Sequence, residues 1–263
     1  MKIKDYLTSY YEHNDEDGRL LTRHGMVEYI TTMTYIERVL KPNMRILEIG
    51  AGTGRYSHAL AQKGYTVDAV ELIEHNIDIF KQKTASGEKV TITQGNATDL
   101  SMFENDTYDV TLLLGPMYHL FSDEDKQQAL SEAIRVTKRG DVVFAAYCMG
   151  DATVLTYGYI RGEIDNIIEK CMLDPDSFET FSRPWDIFEL YRKEDIDALR
   201  SKFPVTQLHY VASDGYANHM RGTLAQMDER TYTLYINYHL ATCERQDMIG
   251  YSHHTLDIFR KDE

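Results

Sequence analysis

Short apolar runs alternate with longer amphipathic segments through the middle of the chain. The apolar runs predict five strands, at 45–49, 66–70, 90–94, 108–114 and 142–148. The helical spacing of apolar residues between them predicts helices at about 56–62, 73–83 and 123–137, the last with Gly140 just past its end. The run at 108–114 is typical of a parallel strand buried on both faces. Strands that alternate with helices in this way predict a doubly wound α/β sheet.

The segments on either side of this core have helical patterns of their own. Before the first strand, we predict a short helix, a polar link and a helix at about 23–39 that Pro42 ends. After the fifth strand, residues 149–192 have no counterpart in a minimal sheet of this kind. They predict a cap with an amphipathic helix and a strand-like stretch at 186–191. The remaining predicted elements are a helix at 193–202, a strand at 205–211, a helix at 228–243 and a strand at 253–260.

This pattern divides the chain into four segments. They are an N-terminal helical segment (1–43), a core (44–148), an inserted cap (149–192) and a segment that completes the sheet and adds cap helices (193–263). A chain of 263 residues has the length expected of one α/β domain with an insertion.

Composition and charge narrow the choice of partners. Acidic residues outnumber basic ones, 42 against 28, and the formal charge is −14. A nucleic acid partner requires a basic patch, and the sequence has no cluster of Lys and Arg, so none is expected. No apolar run is long enough to cross a bilayer, and the first residues lack a signal-peptide pattern. The three cysteines have no metal-ligand spacing. We therefore expect a cytoplasmic protein with reduced thiols and neither a metal nor a membrane partner.

The first predicted strand leads into a glycine-rich turn, with glycines at positions 50, 52 and 54. Glycine permits left-handed backbone angles and lets a ligand approach the backbone closely. The helix that follows exposes free N–H groups and the positive end of its dipole. A strand, a glycine turn and a helix start together predict a nucleotide-type site at the carboxyl end of the strand.

The spacing of the glycines and the acid before them indicate which ligand this is. A dinucleotide fingerprint reads G-x-G-x-x-G, whereas this turn reads G-x-G-x-G and follows Glu48. An acid there would repel a pyrophosphate and suits an ammonium group. The sequence here resembles the class I S-adenosylmethionine (SAM)-dependent methyltransferases, whose first motif is (D/E)-x-G-x-G-x-G. Glu48, Gly50, Gly52 and Gly54 match this motif position by position.

The resemblance implies a Rossmann-like sheet of seven strands, mostly parallel with the last strand antiparallel. It also implies SAM as cofactor and S-adenosylhomocysteine as product. Glu71, roughly 20 residues beyond the first glycine, is expected to accept hydrogen bonds from the ribose. Its alternative role is to complement the dipole of the next helix.

Asn96 and Ala97 are expected at the adenine, although the family usually has an acid in place of Asn96 and an Asx turn is the alternative. The full expected cofactor set is Glu48, Gly50, Ala51, Gly52, Thr53, Gly54, Tyr56, Glu71, Leu72, Asn96, Ala97, Thr98 and Leu114, joined by Tyr11 and Arg23 from the N-terminal segment.

Methyl transfer depends mainly on holding the acceptor, the methyl carbon and the sulfur in line. A base is needed only where the acceptor must lose a proton. His119 is the candidate catalytic residue, either as that base or as an orienting residue packed in its turn. The acceptor-binding candidates, for which ordinary cap packing is the alternative, are Tyr118, Tyr147, Tyr157, Trp185, His219 and Arg221. An aromatic wall of this kind suits an apolar or aromatic acceptor.

These features predict a SAM-dependent methyltransferase that acts on a small-molecule acceptor by in-line transfer. The chain has neither a G-x-S-x-G elbow nor a P-loop, which disfavours a serine hydrolase and an NTPase. Two alternatives stay open: a catalytically silent SAM-binding protein and, against the acidic composition, an RNA-modifying methyltransferase. The protein is expected to be a monomer or a homodimer.

Overall fold

Seven strands form one sheet in the computed structural model, which describes residues 3–13 and 16–263. In chain order they are β1 (Arg45–Ile49), β2 (Thr66–Glu71), β3 (Val90–Gln94), β4 (Tyr108–Leu113), β5 (Thr137–Cys148), β6 (Val205–Ala212) and β7 (His254–Lys261). Their order across the sheet is β3-β2-β1-β4-β5-β7-β6. The predicted doubly wound sheet is thereby confirmed.

The direction of β7 sets it apart from the other strands. The pairs β1–β2, β1–β4, β2–β3 and β4–β5 are parallel. By contrast, β7 lies antiparallel between β5 and β6, as the resemblance implied. The first residue of β7 therefore lies beside the last residue of β5, where His254 pairs with Cys148. Ligands of open α/β sheets bind at this carboxyl edge.

Helices flank the sheet and extend over its carboxyl edge. The α-helices are α1 (Ile3–His13), α2 (Glu16–Arg19), α3 (Arg23–Val39), α4 (Arg55–Gln62), α5 (Glu74–Lys83), α6 (Asp123–Val136), α7 (Gly150–Thr153), α8 (Ile164–Glu169), α9 (Lys193–Arg200), α10 (Arg221–Gln226), α11 (Glu229–Thr242) and α12 (Gln246–Ile249). Short 3₁₀ turns occupy Pro116–His119 and Pro184–Asp186, and a π-helix occupies Val154–Ile160.

None of the helices in the described ranges combines the length and apolar character needed to cross a lipid bilayer.

Alternate residues of the central strands enter two separate cores, one on each face of the sheet. Ile46, Val110 and Phe144 belong to one core, whereas Leu47 and Leu113 belong to the other. This alternation follows from the two-residue period of a strand. Burial of each such side chain stabilises the fold by about 1.5–3 kcal/mol.

The start of β5 differs from its prediction. The strand begins at Thr137, directly after α6, rather than at 142. Gly140 therefore lies within the strand and does not end the helix. It has a φ of 79°, and the pairing of β4 with β5 shifts register between Tyr108 and Val110. A glycine with positive φ is a common companion of such an irregularity.

The cap is less regular than its sequence pattern suggested. The predicted single helix is divided into α7, the π-helix and α8, with Gly162 at a φ of 76° between the last two. The predicted strand at 186–191 is wrong, because in that stretch only Tyr191 makes a β-bridge, to Met149. Pro184 begins a 3₁₀ turn just before it, as its fixed φ allows.

The N-terminal segment is helical, as predicted. α3 matches the predicted helix closely, and Thr22 caps it by accepting a hydrogen bond from the Gly25 N–H at 3.1 Å. The predicted polar link contains α2, and residues 14 and 15 of that link lie outside the described residues. A Cβ on Gly25 would lie 2.1 Å from the Arg19 carbonyl oxygen, so only glycine allows α3 to approach α2 this closely.

Candidate active site

A cavity of about 600 Å³ opens at the carboxyl edge of the sheet. Its wall is formed by the glycine turn after β1, the ends of β2 to β5, helices α1 and α3, the cap, the segment after β6 and the start of β7. The volume lies within the range of roughly 300–1,000 Å³ that small-molecule sites occupy.

The glycine turn has the tight shape that its sequence predicts. Gly50 has a φ of 75°, and a Cβ there would lie 2.6 Å from the Pro116 ring. Gly54 has a φ of 89° and immediately precedes α4, where a Cβ would lie 2.6 Å from His58 and Phe80. Both positions therefore need glycine for steric reasons. Gly54 itself does not line the cavity, and its role is to allow α4 to start here.

Glu71 fastens the end of β2 to the glycine turn. Its carboxylate accepts hydrogen bonds from the backbone N–H groups of Gly52 and Ile73, each at 2.8 Å. Burial raises the pKa of Glu71 above its ordinary value, although these backbone hydrogen bonds oppose the rise. The Asn76 side chain and the Leu72 backbone also hydrogen-bond this carboxylate, which lines the cavity.

Glu48 is a second buried carboxyl group at the same end of the cavity. It is 2% exposed, and the Ser57 hydroxyl donates a hydrogen bond to it. Burial raises the pKa of Glu48 to about 8, the Ser57 hydrogen bonds oppose the rise, and the charge of Glu71 adds to it. A cation bound in the cavity would favour the ionised form of this carboxyl group.

The wall beyond these acids is formed by several other expected cofactor residues. The set that lines the cavity comprises Gly50, Ala51, Gly52, Thr53, Tyr56, Leu72, Asn96, Ala97, Leu114 and Tyr11. Asn96 uses its side-chain oxygen to accept a hydrogen bond from the Thr98 N–H at 3.2 Å, which forms the Asx-type turn that was its alternative. Its amide still faces the cavity beside Ala97.

His119 connects two segments that cover the cavity. Its Nδ1 lies 2.8 Å from the Ile187 carbonyl oxygen of the cap, and its Nε2 lies 2.8 Å from the Tyr11 hydroxyl of α1. Because a carbonyl only accepts, Nδ1 carries the proton, and Nε2 accepts from Tyr11 in the neutral ring. Burial lowers the pKa of His119 to about 4, so the ring is neutral at pH 7. Both ring nitrogens thus have protein partners, as an orienting residue requires.

Three acceptor-binding candidates lie off the cavity wall. Tyr147 points to the opposite face of β5 from Ala146 and Cys148, which do line the cavity, because neighbouring residues of a strand alternate. It packs in the core against Tyr191, with ring centroids 5.0 Å apart. Trp185 is 57% exposed on the cap surface. His219 uses both ring nitrogens, one with Thr156 and one with the Tyr251 carbonyl.

Two expected cofactor residues besides Gly54 also lie off the wall. Arg23 hydrogen-bonds the Met227 carbonyl and pairs with Glu229, so it fastens α3 to the start of α11. Thr98 is turned away in the loop that Asn96 closes. In contrast, the acceptor-binding candidates Tyr118, Tyr157 and Arg221 line the cavity.

The structure adds a polar cluster that the sequence pattern did not reveal, formed by Arg19, Glu28, Asp214 and His254. We call it the His254 cluster, and all but Asp214 line the cavity. His254 Nδ1 lies 2.8 Å from Asp214 Oδ2 and 3.5 Å from Glu28 Oε2, and Arg19 pairs with Glu28 at 2.6 Å. An available signal was the acid at 28 on the otherwise apolar face of a helix.

The electrostatics of the cluster favour charged side chains. Burial raises the pKa of Asp214, but the charge and hydrogen bond of His254 outweigh burial and hold that pKa well below its usual value. Burial lowers the pKa of His254, but the charges of Glu28 and Asp214 and the hydrogen bond to Asp214 raise it well above 6.5. Opposite charges at this separation stabilise each other in a buried setting.

Comparisons with known proteins find methyltransferases. Residues 46–140 match a methyltransferase domain family. A demethylmenaquinone methyltransferase of Clavibacter sepedonicus is 32% identical over 44% of this chain and 46% of its own length. The match thus spans less than half of that relative. A ubiquinone biosynthesis O-methyltransferase of Pseudomonas fluorescens is 26% identical over 72% of this chain and 82% of its own length.

Solved structures share the fold over almost the whole chain. A SAM-dependent methyltransferase of Methanosarcina mazei superposes with a TM-score of 0.57 at 19% identity, covering 87% of this chain and 97% of the other. A protein of Pyrococcus horikoshii gives a TM-score of 0.60 at 15% identity, covering 97% and 99%. The family match and the methyltransferase relatives indicate a methyltransferase domain at residues 46–140, and the chain shares its fold with a SAM-dependent methyltransferase.

Proposed function

We propose that this protein transfers a methyl group from SAM to a small-molecule acceptor held in the cavity. The observation that carries the proposal is the pair of buried carboxyl groups, Glu48 and Glu71, on the cavity wall at the glycine turn. Hydroxyl and ammonium groups find hydrogen-bond acceptors at this turn, and an ammonium group also favours the ionised form of Glu48. SAM has both groups, and when bound it supplies a methyl group activated by a positively charged sulfur.

The proposed cofactor contacts follow from the residues on the wall. Glu71 accepts from the ribose hydroxyls, because it lines the cavity at the end of β2 beside the glycine turn. Glu48 faces the amino acid end, where an ammonium group favours its ionised form. Asn96 and Ala97 lie at the adenine, and Leu72 and Leu114 supply apolar contacts.

The remaining chemistry is orientation and exclusion of water. α1 lies against the cavity through Ile3, Leu7, Tyr10 and Tyr11. In this proposal His119 acts as a positioning residue, because it holds Tyr11 and the cap together over the bound molecules. Fixing two reactants in line makes a large contribution to the rate of a displacement, even without a base.

A small molecule is the favoured acceptor for three reasons. The two named relatives are described as methylating demethylmenaquinone and as O-methylating in ubiquinone biosynthesis. The acceptor would enter a cavity covered by α1 and the cap, which suits a compact ligand. The net charge of −14 disfavours a nucleic acid chain.

The ribose assignment is tested by calorimetry with SAM. Glu71→Ala removes the acceptor of two hydroxyl groups, and we expect SAM to bind about ten- to a hundredfold more weakly. Glu74→Ala is the matched control, because Glu74 is an exposed acid in the same stretch. Wild-type affinity in Glu71→Ala would contradict the ribose role, and binding of NAD in place of SAM would contradict the cofactor.

A catalytically silent SAM-binding protein is the second candidate. Incubation with methyl-labelled SAM and fractionated metabolite extracts, read by mass spectrometry, separates the two. Label in any metabolite establishes transfer and identifies the acceptor. SAM binding with no labelled product from any fraction would favour the silent protein.

A further inference from the structure

The His254 cluster brings residues from three distant parts of the chain to one wall of the cavity. Glu28 comes from α3, Asp214 follows β6 and His254 begins β7. Asp214 is 1% exposed, and the Glu28 and His254 side chains are 11% and 17% exposed. Charged groups are rarely buried to this extent without a partner or a ligand.

The spacing of the cluster is that of a metal site, but its oxygens are already in use. One ligand atom from each of Glu28, Asp214 and His254 lies within 4.8 Å of the others. Glu28, however, accepts two hydrogen bonds from Arg19. Asp214 accepts from the Ser252 hydroxyl, from the Asn218 amide and from the His254 backbone and ring. Cationic donors therefore neutralise these carboxylates, which disfavours a metal ion.

One ring nitrogen of His254 is left for a ligand. Nδ1 donates to Asp214, which fixes the orientation of the imidazole. Within the described ranges, Nε2 has no protein partner within hydrogen-bond distance, and the ring lines the cavity. A histidine held in this way offers a single directed N–H to whatever occupies the cavity.

Arg221 adds a second cation to this wall. It lines the cavity, and its guanidinium donates to the neutral side-chain oxygen of Asn218. Among the described residues, no carboxylate lies within salt-bridge distance of it. Arg19 pairs with Glu28 and His254 pairs with Asp214, so these four charges balance. Arg221 therefore adds one further positive charge to this wall. This wall is therefore locally cationic in a protein of strongly negative net charge.

We propose that the methyl acceptor binds as an anion with an ionised oxygen, a carboxylate or a phenolate, to which His254 Nε2–H and Arg221 donate. This inference rests on the proposed function and specifies its substrate class. The apolar body of the acceptor would lie against Tyr118, Tyr157 and Phe188, which line the same cavity. No covalent change occurs at the cluster, because the acceptor binds already ionised.

The surroundings of His254 keep it in the donor form. Titratable and charged groups surround His254 on several elements. From the earlier part of the chain these are Arg19 and Glu28 of the N-terminal segment, Tyr118 of the 3₁₀ turn and Cys148 of β5. From the later part they are Asp214 after β6, Arg221 and the neighbouring His253. The net effect of its carboxylate neighbours raises the pKa of His254 well above its ordinary value. The ring is therefore an imidazolium at neutral pH.

The test uses two anionic probes and the full chain. Benzoate is titrated by calorimetry, and 4-nitrophenol by its absorption spectrum, which distinguishes phenol from phenolate. We expect at least one probe to bind, with 4-nitrophenol held as phenolate at a pH where the free probe is mostly phenol. Preference for one probe distinguishes a carboxylate acceptor from a phenolate acceptor, and benzylamine is the cationic comparison.

His254→Gln removes the charge and keeps a polar side chain of similar size. We expect it to weaken anion binding about ten- to a hundredfold and to leave SAM affinity unchanged. His209→Gln is the matched control, because His209 also pairs with a carboxylate, Glu244, at 3.0 Å but lies off the cavity. Arg221→Gln provides a second variant in case His254→Gln fails to fold. We expect Arg221→Gln to bind the anionic probes severalfold more weakly than the wild type does.

Four results would overturn the assignment. The first is that neither anion binds to the wild type, and the second is that both His254→Gln and Arg221→Gln bind the anions as tightly as the wild type does. The third is that benzylamine binds more strongly than the anions. The fourth is that Zn²⁺ binds tightly and that His254→Gln abolishes this binding. Failure of SAM binding with intact anion binding would instead overturn the proposed function and leave the anion site standing.

Discussion

At the scale of single residues, Glu48 is held where its charged form is disfavoured. It is almost completely buried, and the Ser57 hydroxyl donates a hydrogen bond to it. Burial, with a contribution from Glu71, raises its pKa to about 8 from an ordinary value of 4.5. The folded chain therefore binds this proton more tightly than the unfolded chain does, and stability must depend on pH.

Glu48→Gln should remove that dependence. In the wild type, the stability linked to Glu48 is fully present below pH 4.5 and is lost as the pH rises to about 8, because only the unfolded chain ionises easily. We expect the variant to match the wild type at low pH. By pH 8 the free energy of unfolding of the variant should exceed that of the wild type by a few kcal/mol at most, since one pKa unit corresponds to about 1.4 kcal/mol.

Urea denaturation at a series of pH values measures this difference. Glu74→Gln, an exposed acid nearby, should show none of it. A constant gap between Glu48→Gln and the wild type across this range would mean that the carboxyl group is already ionised in the folded protein.

At the scale of elements, α1 is a helix held mainly by its contacts over the cavity. Leu7 is its buried residue, Tyr10 packs edge-on against Phe188 with ring centroids 5.5 Å apart, and Tyr11 bonds His119. An isolated helix of 11 residues is marginal in water, so these contacts decide whether it is ordered.

Tyr11→Phe should loosen α1 without disturbing the core. Loss of one hydrogen bond costs about 1 kcal/mol, so we expect amide exchange in 3–13 to quicken about fivefold. Hydrogen–deuterium exchange read by mass spectrometry measures this, with Tyr6→Phe on the same helix as the control. Unchanged exchange in Tyr11→Phe would show that the hydrogen bond to His119 does not hold the helix.

The core elements could be predicted from the sequence because their signals are local. The apolar runs predicted the bounds of β1 and β3, and the glycine turn predicted a turn that lines the cavity. The side of β5 that Tyr147 occupies also follows from strand alternation. The cap could not be predicted, because its π-helix and loops depend on packing against the sheet. The joining of Glu28, Asp214 and His254 depends on the reversed direction of β7 and on contacts far apart in sequence.

At the scale of the whole molecule, the cavity lies in a strongly acidic protein, with a net charge of −14. The carboxyl groups of Glu48 and Glu71 lie on its wall at the glycine turn, and Arg221 lies on the wall that the His254 cluster forms. The net charge of −14 acts on any charged ligand that approaches. SAM carries one positive charge more than S-adenosylhomocysteine, so the field of the protein should distinguish the proposed cofactor from its product.

Salt should therefore weaken SAM binding more than binding of the product. The Debye length falls from about 30 Å at 0.01 M to about 8 Å at 0.15 M ionic strength, which screens the long-range attraction. Over this range we expect the affinity for SAM, divided by the affinity for S-adenosylhomocysteine, to fall severalfold. Calorimetry with each ligand measures this ratio. Parallel salt dependence for both ligands would show that only short-range contacts discriminate.

The antiparallel direction of β7 also affects how the acceptor preference of such a protein could be changed. The acids and glycines of the proposed cofactor end lie in one continuous stretch, 48–71, whereas Asp214, Arg221 and His254 all follow the cap in the chain. Because β7 returns against β5, this late segment reaches the same edge of the sheet without displacing the early one. We expect a graft of residues 150–254 from a relative to change acceptor preference, while the proposed cofactor residues at 48–71 are kept.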